Sequence, residues 1–134
     1  MPATLAASGF DSGFDWTTLP DTDMVIGKYL EGRLAGLIAF RHVPENLGNF
    51  VELLEVAQPF RHRQVAKKLL AMVMLDSFET PGFDGFVQLK PKHNGIQNFY
   101  ISLGGFPHDR SIIFDTNASL NHTQRYLPFG GKIL

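Results

Sequence analysis

The feature that most constrains the fold of this chain is the segment FVELLEVAQPFRHRQVAKKLLAMVMLDSF at residues 50–78, which reads as a strand, a short basic turn and an apolar helix. A helix that begins where a strand ends presents free backbone N–H groups there, and these groups hold a phosphate together with the helix dipole. Cationic side chains crowd the same turn: Arg61, Arg63, Lys67 and Lys68. The turn therefore predicts an anion site, although on charge alone such a run is also typical of a solvated surface.

Length and composition narrow the class of protein. A chain of 134 residues, 44% of them hydrophobic, is expected to form a single globular domain around one core. Its net charge of −1 argues against a nucleic-acid binder, which needs a broad basic surface. The lack of cysteine excludes a disulfide framework, a cysteine-based zinc site and a cysteine nucleophile. The five histidines have no metal-ligand spacing, so we expect no metal site.

We expect a cytoplasmic protein without membrane contact. No apolar run approaches the ~18 to 20 residues that a membrane-spanning helix requires. Residues 1–12 lack the basic region and the long apolar region of a secretory signal.

The core of the domain is expected over residues 24–115. Residues 24–43 predict a hairpin, in which Gly32 supplies the positive φ of a tight turn. The strand at residues 49–57 extends this hairpin to an antiparallel three-stranded meander. A helix is predicted from about residue 63 to residue 78, followed by a strand at residues 86–90.

The second half of the chain predicts fewer regular elements. Asn94 is the expected N-cap of a helix that ends at Gly104 and Gly105, and after a loop at Pro107 a strand is predicted at residues 111–115. Residues 117–124 are polar and predict a loop, and residues 125–129 predict an edge strand. Residues 1–23 are expected to form a loosely structured N-terminal arm, and residues 116–134 a C-terminal loop and edge strand.

Two blocks of the sequence resemble the GNAT superfamily of N-acyltransferases. The first follows the acyl-CoA-binding pattern Val-x-Pro-x-Tyr-Arg-Gly-x-Gly-x-Gly/Ala with Leu-Leu after it. The positions of this chain that align with it are Val56, Phe60, Arg61, Gln64, Ala66, Leu69 and Leu70. The second is NGIQNFYISLGGF at residues 94–106, where Phe99, Tyr100, Leu103 and Gly104 match the family's Phe-Tyr-x-x-Leu-Gly segment. Two motifs in this order are more specific than either alone.

Two departures from the family pattern bear on the predicted function. Gln64 stands where the family has a glycine that lets the backbone close on a pyrophosphate. Family members normally begin with a strand and two helices that wall the acceptor pocket, whereas residues 1–23 show little helical period. The chain thus resembles a short form that lacks the usual N-terminal helices.

The resemblance implies an α+β fold, the acyl-CoA N-acyltransferase fold, with a mixed, mostly antiparallel twisted sheet flanked by helices. It implies acetyl-CoA as co-substrate, lying where the sheet splays, and no metal. The residues that it assigns to cofactor binding are Val56, Arg61, His62, Arg63, Gln64, Val65, Ala66, Lys67 and Asn94.

The resemblance also suggests catalytic residues. Tyr100 is the candidate acid that protonates the departing thiolate, and the alternative is a tyrosine that packs its ring in the core. Glu52 and Glu55 are candidate bases on the central strand. Their different parity predicts opposite faces of the sheet unless a bulge intervenes, so at most one is expected to face the cleft.

The function implied is acetyl transfer from acetyl-CoA to a primary amine by direct attack in a ternary complex. The acceptor implied is a small molecule or a peptide, and no nucleic-acid partner is expected. The alternative is a non-catalytic GNAT-fold module that binds CoA or a protein, and a third reading is a basic-turn protein for another phosphate ligand. A short chain with an exposed edge strand has surface that a homodimer would cover.

Overall fold

The computed structural model describes residues 24–61, 63–91 and 96–127. The strands are β1 (Met24–Leu30), β2 (Arg33–Val43), β3 (Gly48–Val56), β4 (Val87–Leu89), β5 (Phe106–His108) and β6 (Ser111–Phe114). The α-helices are α1 (Val65–Glu79), α2 (Ile96–Ser102) and α3 (Thr116–Tyr126), and short 3₁₀ turns follow β2 and β3. The expected N-terminal arm, His62, Asn94 and residues 128–134 lie outside the described residues.

The strands form one mixed sheet in the order β1-β2-β3-β4-β6-β5. Neighbouring strands are antiparallel except β3 and β4, which run parallel and pair over Asn49–Val51 and Val87–Leu89. Beyond Val51, β3 continues to Val56 without a recorded β4 partner among the described residues. The β3–β4 ladder therefore ends half-way along β3.

Helix α1 covers one face of the sheet, which we call the front face; the opposite face is the back face. On the front face a Cβ atom at Gly36 would come within 2.6 Å of Val65 Cγ1. Asn49 also faces front, because its Nδ2 donates to Val73 O and to Asp76 Oδ2, both at 3.0 Å. The core lies between this face and the buried side of α1, where Leu70 and Val73 have no solvent exposure.

Several expected elements are confirmed by this structure. The hairpin β1–β2 turns at Glu31 and Gly32, both with positive φ, and β3 completes the meander. Helices α1 and α2 and strands β4 and β6 occur within one or two residues of their predicted bounds. The mixed, mostly antiparallel sheet flanked by helices is the fold class that the sequence predicts.

The expected loop at residues 117–124 is wrong, because these residues belong to α3. Asp115 caps this helix: its Oδ1 accepts from the Ala118 N–H at 2.9 Å. The inner side of α3 is polar, since Ser119 Oγ donates to Gly85 O at 2.6 Å. The predicted edge strand at residues 125–129 is also wrong where it is described, because Arg125 and Tyr126 end the helix.

The expected loop at Pro107 is a short strand instead. Phe106–His108 pairs antiparallel with β6, with Phe106 opposite Ile113 and His108 opposite Ser111. Proline is tolerated there because β5 is the last strand in the sheet order and its outer edge needs no ladder donor.

Candidate active site

A cavity of about 450 Å³ opens where β3 ends and α1 begins. Six of the nine residues predicted to bind the cofactor line it, together with two aromatic side chains. The lining residues are Val56, Phe60, Arg61, Gln64, Val65, Ala66, Lys67 and Phe99. The structure thus brings most of the first sequence block to one cavity, and Phe99 adds a wall from the second block.

The N-terminus of α1 faces this cavity. Gln64 precedes the helix and its side chain makes no capping hydrogen bond. The N–H groups of Val65, Ala66 and Lys67 belong to the first turn, which an α-helix leaves without carbonyl partners of its own. With the helix dipole behind them, these groups form an anion-binding end.

Gln64 adopts the left-handed conformation, with φ +63° and ψ 16°. Glycine reaches this region without a steric penalty, whereas a residue with a Cβ pays about 1 to 2 kcal/mol. The backbone of this loop therefore has the conformation that glycine favours although glutamine occupies the position.

The basic residues of the turn take different places. Arg61 lines the cavity, and its Nε donates to Val56 O at 3.3 Å. Arg63 points elsewhere, because its Nη1 lies 3.2 Å from Glu31 Oε1 on the β1–β2 turn. Lys67 also lines the cavity, and its Nζ lies 5.7 Å from the centroid of the Tyr126 ring.

Tyr100 lies behind the cavity wall. It is 7% exposed, and its ring meets that of Phe99 edge-on, with centroids 5.2 Å apart. Phe99 is among the residues that line the cavity and Tyr100 is not. Burial raises the pKa of Tyr100 to about 12, so its phenol stays protonated throughout the neutral range.

Both glutamates of β3 lie on the back face, because a bulge intervenes, the exception to the opposite faces that parity alone predicts. The β2–β3 register pairs Ala39 with Leu53 and Phe40 with Val51, which makes Glu52 an extra residue in a bulge. Glu52 forms an ion pair with Arg41. Glu55 pairs across the ladder with Leu37, and residues 37 and 41 of the regular strand β2 share a face.

The two glutamates differ in their surroundings. Glu55 is 7% exposed and immediately precedes Val56, whereas the carboxylate of Glu52 is held at a more open position by Arg41. Neither residue lines the cavity at the α1 N-terminus.

Helix α3 supports the cavity from outside and was missed by the sequence analysis. His122 is buried, and its Nε2 donates to Lys67 O at 2.8 Å in the first turns of α1. Burial lowers the pKa of His122, and the positive charges of Lys67 and Arg125 lower it further against the opposing effect of the hydrogen bond. A possible signal in the sequence was Asp115, an N-cap residue ahead of a polar stretch.

The comparison with protein families decides the assignment. The family model described as "Acetyltransferase (GNAT) family" matches residues 2–105. This chain belongs to the GNAT acetyltransferase family. The six-stranded mixed sheet with its flanking helices is accordingly the GNAT acyl-CoA N-acyltransferase fold, as the two sequence blocks indicated.

Solved structures of GNAT proteins are similar to this chain in fold. The ribosomal-protein-S18-alanine N-acetyltransferase from Escherichia coli has a TM-score of 0.57 at 16% identity, covering 84% of this chain and 83% of that one. The KacTA–DNA complex has a TM-score of 0.63 at 13% identity, with 90% of each chain covered.

A third similar structure contains coenzyme A. It is the PaiA N-acetyltransferase from Thermoplasma acidophilum, with a TM-score of 0.54 at 16% identity, and the match covers 69% of this chain. The chain spans 58% of the length of that relative. No curated protein matches the sequence at a significant level.

Among residues 24–61, 63–91 and 96–127, no helix is long and apolar enough to cross a membrane. The same described ranges hold no group of three or more histidine or acidic side chains placed to bind a metal ion.

Proposed function

We propose that this GNAT family member transfers an acetyl group from acetyl-CoA to a primary amine by direct attack in a ternary complex. The observation that carries the proposal is the cavity between the end of β3 and the N-terminus of α1. It combines backbone N–H groups, a helix dipole and the side chains of Arg61 and Lys67, which together suit a diphosphate.

The residues present fit the pyrophosphate group of acetyl-CoA. The N–H groups of Val65, Ala66 and Lys67 would hold the pyrophosphate, and Arg61 would add charge at the cavity wall. Bound acetyl-CoA supplies an activated thioester carbonyl. The backbone of β3 beyond Val51, which has no β4 partner among the described residues, would supply hydrogen bonds along the pantetheine arm, while Val56 O accepts from Arg61 Nε.

Glu55 is the proposed route for the proton of the attacking amine, acting through water. It is buried on β3 next to Val56, while Glu52 is engaged by Arg41 and is the weaker candidate. Tyr100 is the proposed proton donor to the thiolate, since its position in α2 adjoins the wall residue Phe99.

One observation favours the alternative, a non-catalytic module that binds CoA or a protein. With its pKa raised to about 12, Tyr100 is a weaker acid than a free thiol, whose pKa is ~8.5. A catalytic Tyr100 would require the bound cofactor to lower this difference.

Calorimetric titration with acetyl-CoA, with ATP as the control nucleotide, is the first test. We expect saturable binding of acetyl-CoA and weaker binding of ATP. Release of free thiol in the presence of amines then separates the two functions, and Tyr100→Phe is expected to lower kcat with little effect on cofactor affinity. Binding of acetyl-CoA without turnover of any amine in a broad panel would favour the non-catalytic module. Absence of acetyl-CoA binding would reject both the acetyltransferase and the CoA-binding module. A cytoplasmic location and a homodimer stay predictions.

A further inference from the structure

A second cavity of about 460 Å³ runs across the back face, away from α1. We call it the back groove. Its lining residues are Val43, Asn46, Gly48, Asn49, Phe50, Phe86, Val87, Gln88, Phe106, His108, Asp109 and Ile113. A volume of this size suits a small organic molecule.

The floor of the back groove is a row of side chains across four strands. Phe50 pairs with Gln88, Gln88 with Ile113, and Ile113 with Phe106. Asn49 binds α1 on the front face, so its neighbour Phe50 and the rest of the row point to the back. The floor of the groove is therefore built by strand register.

The back groove adjoins the point where the sheet opens. The pair Phe50–Gln88 directly precedes Val51–Leu89, the last recorded pair of the β3–β4 ladder. From Val51 to Val56 at the cofactor cavity, the strand covers about 17 Å. An extended pantetheine arm spans a distance of this order, so a thioester that enters from the α1 end would arrive near the end of the groove.

The chemistry of the groove favours one kind of ligand. Phe50, Phe86 and Phe106 give it aromatic walls, and Phe106 is 43% exposed. Asp109 is the one lining residue with a carboxylate, and no lysine or arginine occurs among the described residues that line the groove. Aromatic faces and a carboxylate attract a cation and repel an anion.

Two polar groups beside the row sharpen this preference. Gln88 Nε2 donates to Ser111 Oγ at 2.9 Å, which leaves the amide oxygen of Gln88 as the acceptor for an amine N–H. Arg41 lies 5.0 Å from the Phe50 ring centroid, but it is paired with Glu52, so the two add no net charge. His108 Nε2 lies 3.7 Å from Asp109 Oδ2 at the far end of the groove.

We infer that the back groove binds the acceptor, and that the acceptor is a small primary amine carried on an apolar body, aromatic or branched aliphatic. This inference rests on the proposed acetyl transfer. In the reaction the cationic amine first releases one proton to water, and the neutral nitrogen then forms a bond to the acetyl carbon as the carbon–sulfur bond breaks. The nitrogen loses a second proton, which balances the proton that the thiolate gains. The apolar body lies on Phe50 and Phe106, and the cationic amine is drawn in by Asp109 before it loses its proton.

The test compares 2-phenylethylamine with ethylamine and with the anionic 2-aminoethyl phosphate. We expect kcat/KM for 2-phenylethylamine to exceed that for ethylamine by about 100-fold, the effect of burying one phenyl group. We expect 2-aminoethyl phosphate to be the poorest substrate. Equal kcat/KM values for the three amines, or a preference for the phosphate, would overturn the inference.

Variants locate the effect. Phe106→Ala should reduce the preference for 2-phenylethylamine about tenfold. Asp109→Asn should raise KM for 2-phenylethylamine and for ethylamine only about threefold, because an exposed carboxylate contributes little to binding. Asn tolerates the left-handed conformation that Asp109 adopts at φ +54°. Tyr29→Ala is the matched control, since Tyr29 is an aromatic residue 65% exposed on the edge strand β1, outside the groove.

A binding measurement separates this inference from the proposed function. Binding of 2-phenylethylamine without acetyl-CoA, followed by chemical-shift changes at Gln88 and Phe106, reports on the groove alone. Shifts at these residues that Phe106→Ala weakens and Tyr29→Ala does not would support the groove even if acetyl-CoA failed to bind. Turnover of amines without such shifts would reject the groove and leave acetyl transfer standing.

Discussion

Gly36 on β2 lies directly against Val65, the first residue of α1, with room for no side chain between them. A Cβ on Gly36 would approach Val65 Cγ1 to 2.6 Å and Leu69 Cδ1 to 3.0 Å. Val65 is β-branched and cannot swing away easily, so the helix itself would have to move. The position of the α1 N-terminus, and with it the cofactor cavity, depends on this contact.

Gly36→Ala is therefore expected to destabilise the protein by about 1 to 3 kcal/mol through overpacking. It should also weaken acetyl-CoA binding, because α1 is displaced at its N-terminus. Urea denaturation and calorimetry measure the two effects. Gly27→Ala is the control, since a Cβ there meets Leu34 Cδ1 at 3.2 Å on a flexible side chain. Equal behaviour of the two variants would contradict the role of the Gly36 contact.

Gln64→Gly should strengthen acetyl-CoA binding and leave stability equal or higher by up to about 1 kcal/mol. Glycine removes the strain of the left-handed backbone at this position and the Cβ that faces the cavity, at some cost in unfolded-state entropy. Gln64→Ala removes most of the side chain but keeps the strain. If Gln64→Ala raised affinity as much as Gln64→Gly, the backbone explanation would be wrong.

Arg61→Glu should weaken acetyl-CoA binding at least about tenfold, because it places a negative charge in the cavity wall beside the phosphates. Arg63→Glu should change affinity less than about threefold, since Arg63 is directed to Glu31. Calorimetry at low and at high salt gives the comparison, and the Arg61 effect should shrink with salt. A larger loss in the Arg63 variant would contradict this geometry.

Tyr100 should make the protein sensitive to alkali. Its folded pKa of about 12 lies above the unfolded value of 10.0, so the folded state retains a proton that the unfolded chain has lost between these values. This stabilisation, about 2 to 3 kcal/mol, is complete below pH 10 and is lost as pH rises through 12. Urea unfolding at pH 9 and pH 11 should show a steeper loss in the native protein than in Tyr100→Phe.

His122 should make the protein sensitive to acid. Its folded pKa is lowered below 6.5, so the unfolded chain binds a proton that the buried imidazole resists, and stability falls as pH falls through 6.5. His122→Gln retains a donor for Lys67 O and removes the titration. We expect a smaller loss of stability between pH 7.5 and pH 5 in this variant. Parallel pH curves for the two proteins would show that His122 does not carry the effect.

The sequence predicts the meander, α1 and the cofactor cavity because their signals are local. Strand composition, the turn at Gly32 and the order strand, basic turn, helix all act within a few residues of each other. Most residues that line the cavity belong to the continuous segment 56–67, so the turn between β3 and α1 is enough to place them side by side.

Helix α3 was missed because its buried positions are polar. Ser119, His122, Thr123 and Tyr126 recur at helical spacing on the inner side, but three of the four are not apolar, so a search for hydrophobic period does not detect them. Ser119 and His122 form hydrogen bonds to backbone carbonyls of distant elements, which replace apolar packing. Such partners are visible in the folded chain alone.

The faces of Glu52 and Glu55, and the back groove, could not be predicted for a related reason. A single extra residue at the bulge changes the parity of everything after it, and no local sequence signal marks Glu52 as that residue. The groove joins Phe50 to Phe106 across β4 and β6, which depends on strand order rather than on spacing along the chain.

The short β3–β4 ladder divides the sheet into two halves, β1–β3 and β4–β6, that are joined by few hydrogen-bonded residue pairs. Among the described residues, three pairs join β3 to β4, whereas the β2–β3 pairing is more than twice as long. A ligand bound between β3 and β4 contacts both halves of the sheet and stabilises their pairing. Bound ligand should therefore slow amide hydrogen exchange at Val87, Gln88 and Leu89 more than in β2. The β3–β4 pairing would then be the first part of the sheet to unfold locally in the ligand-free protein and the part that bound ligand stabilises most.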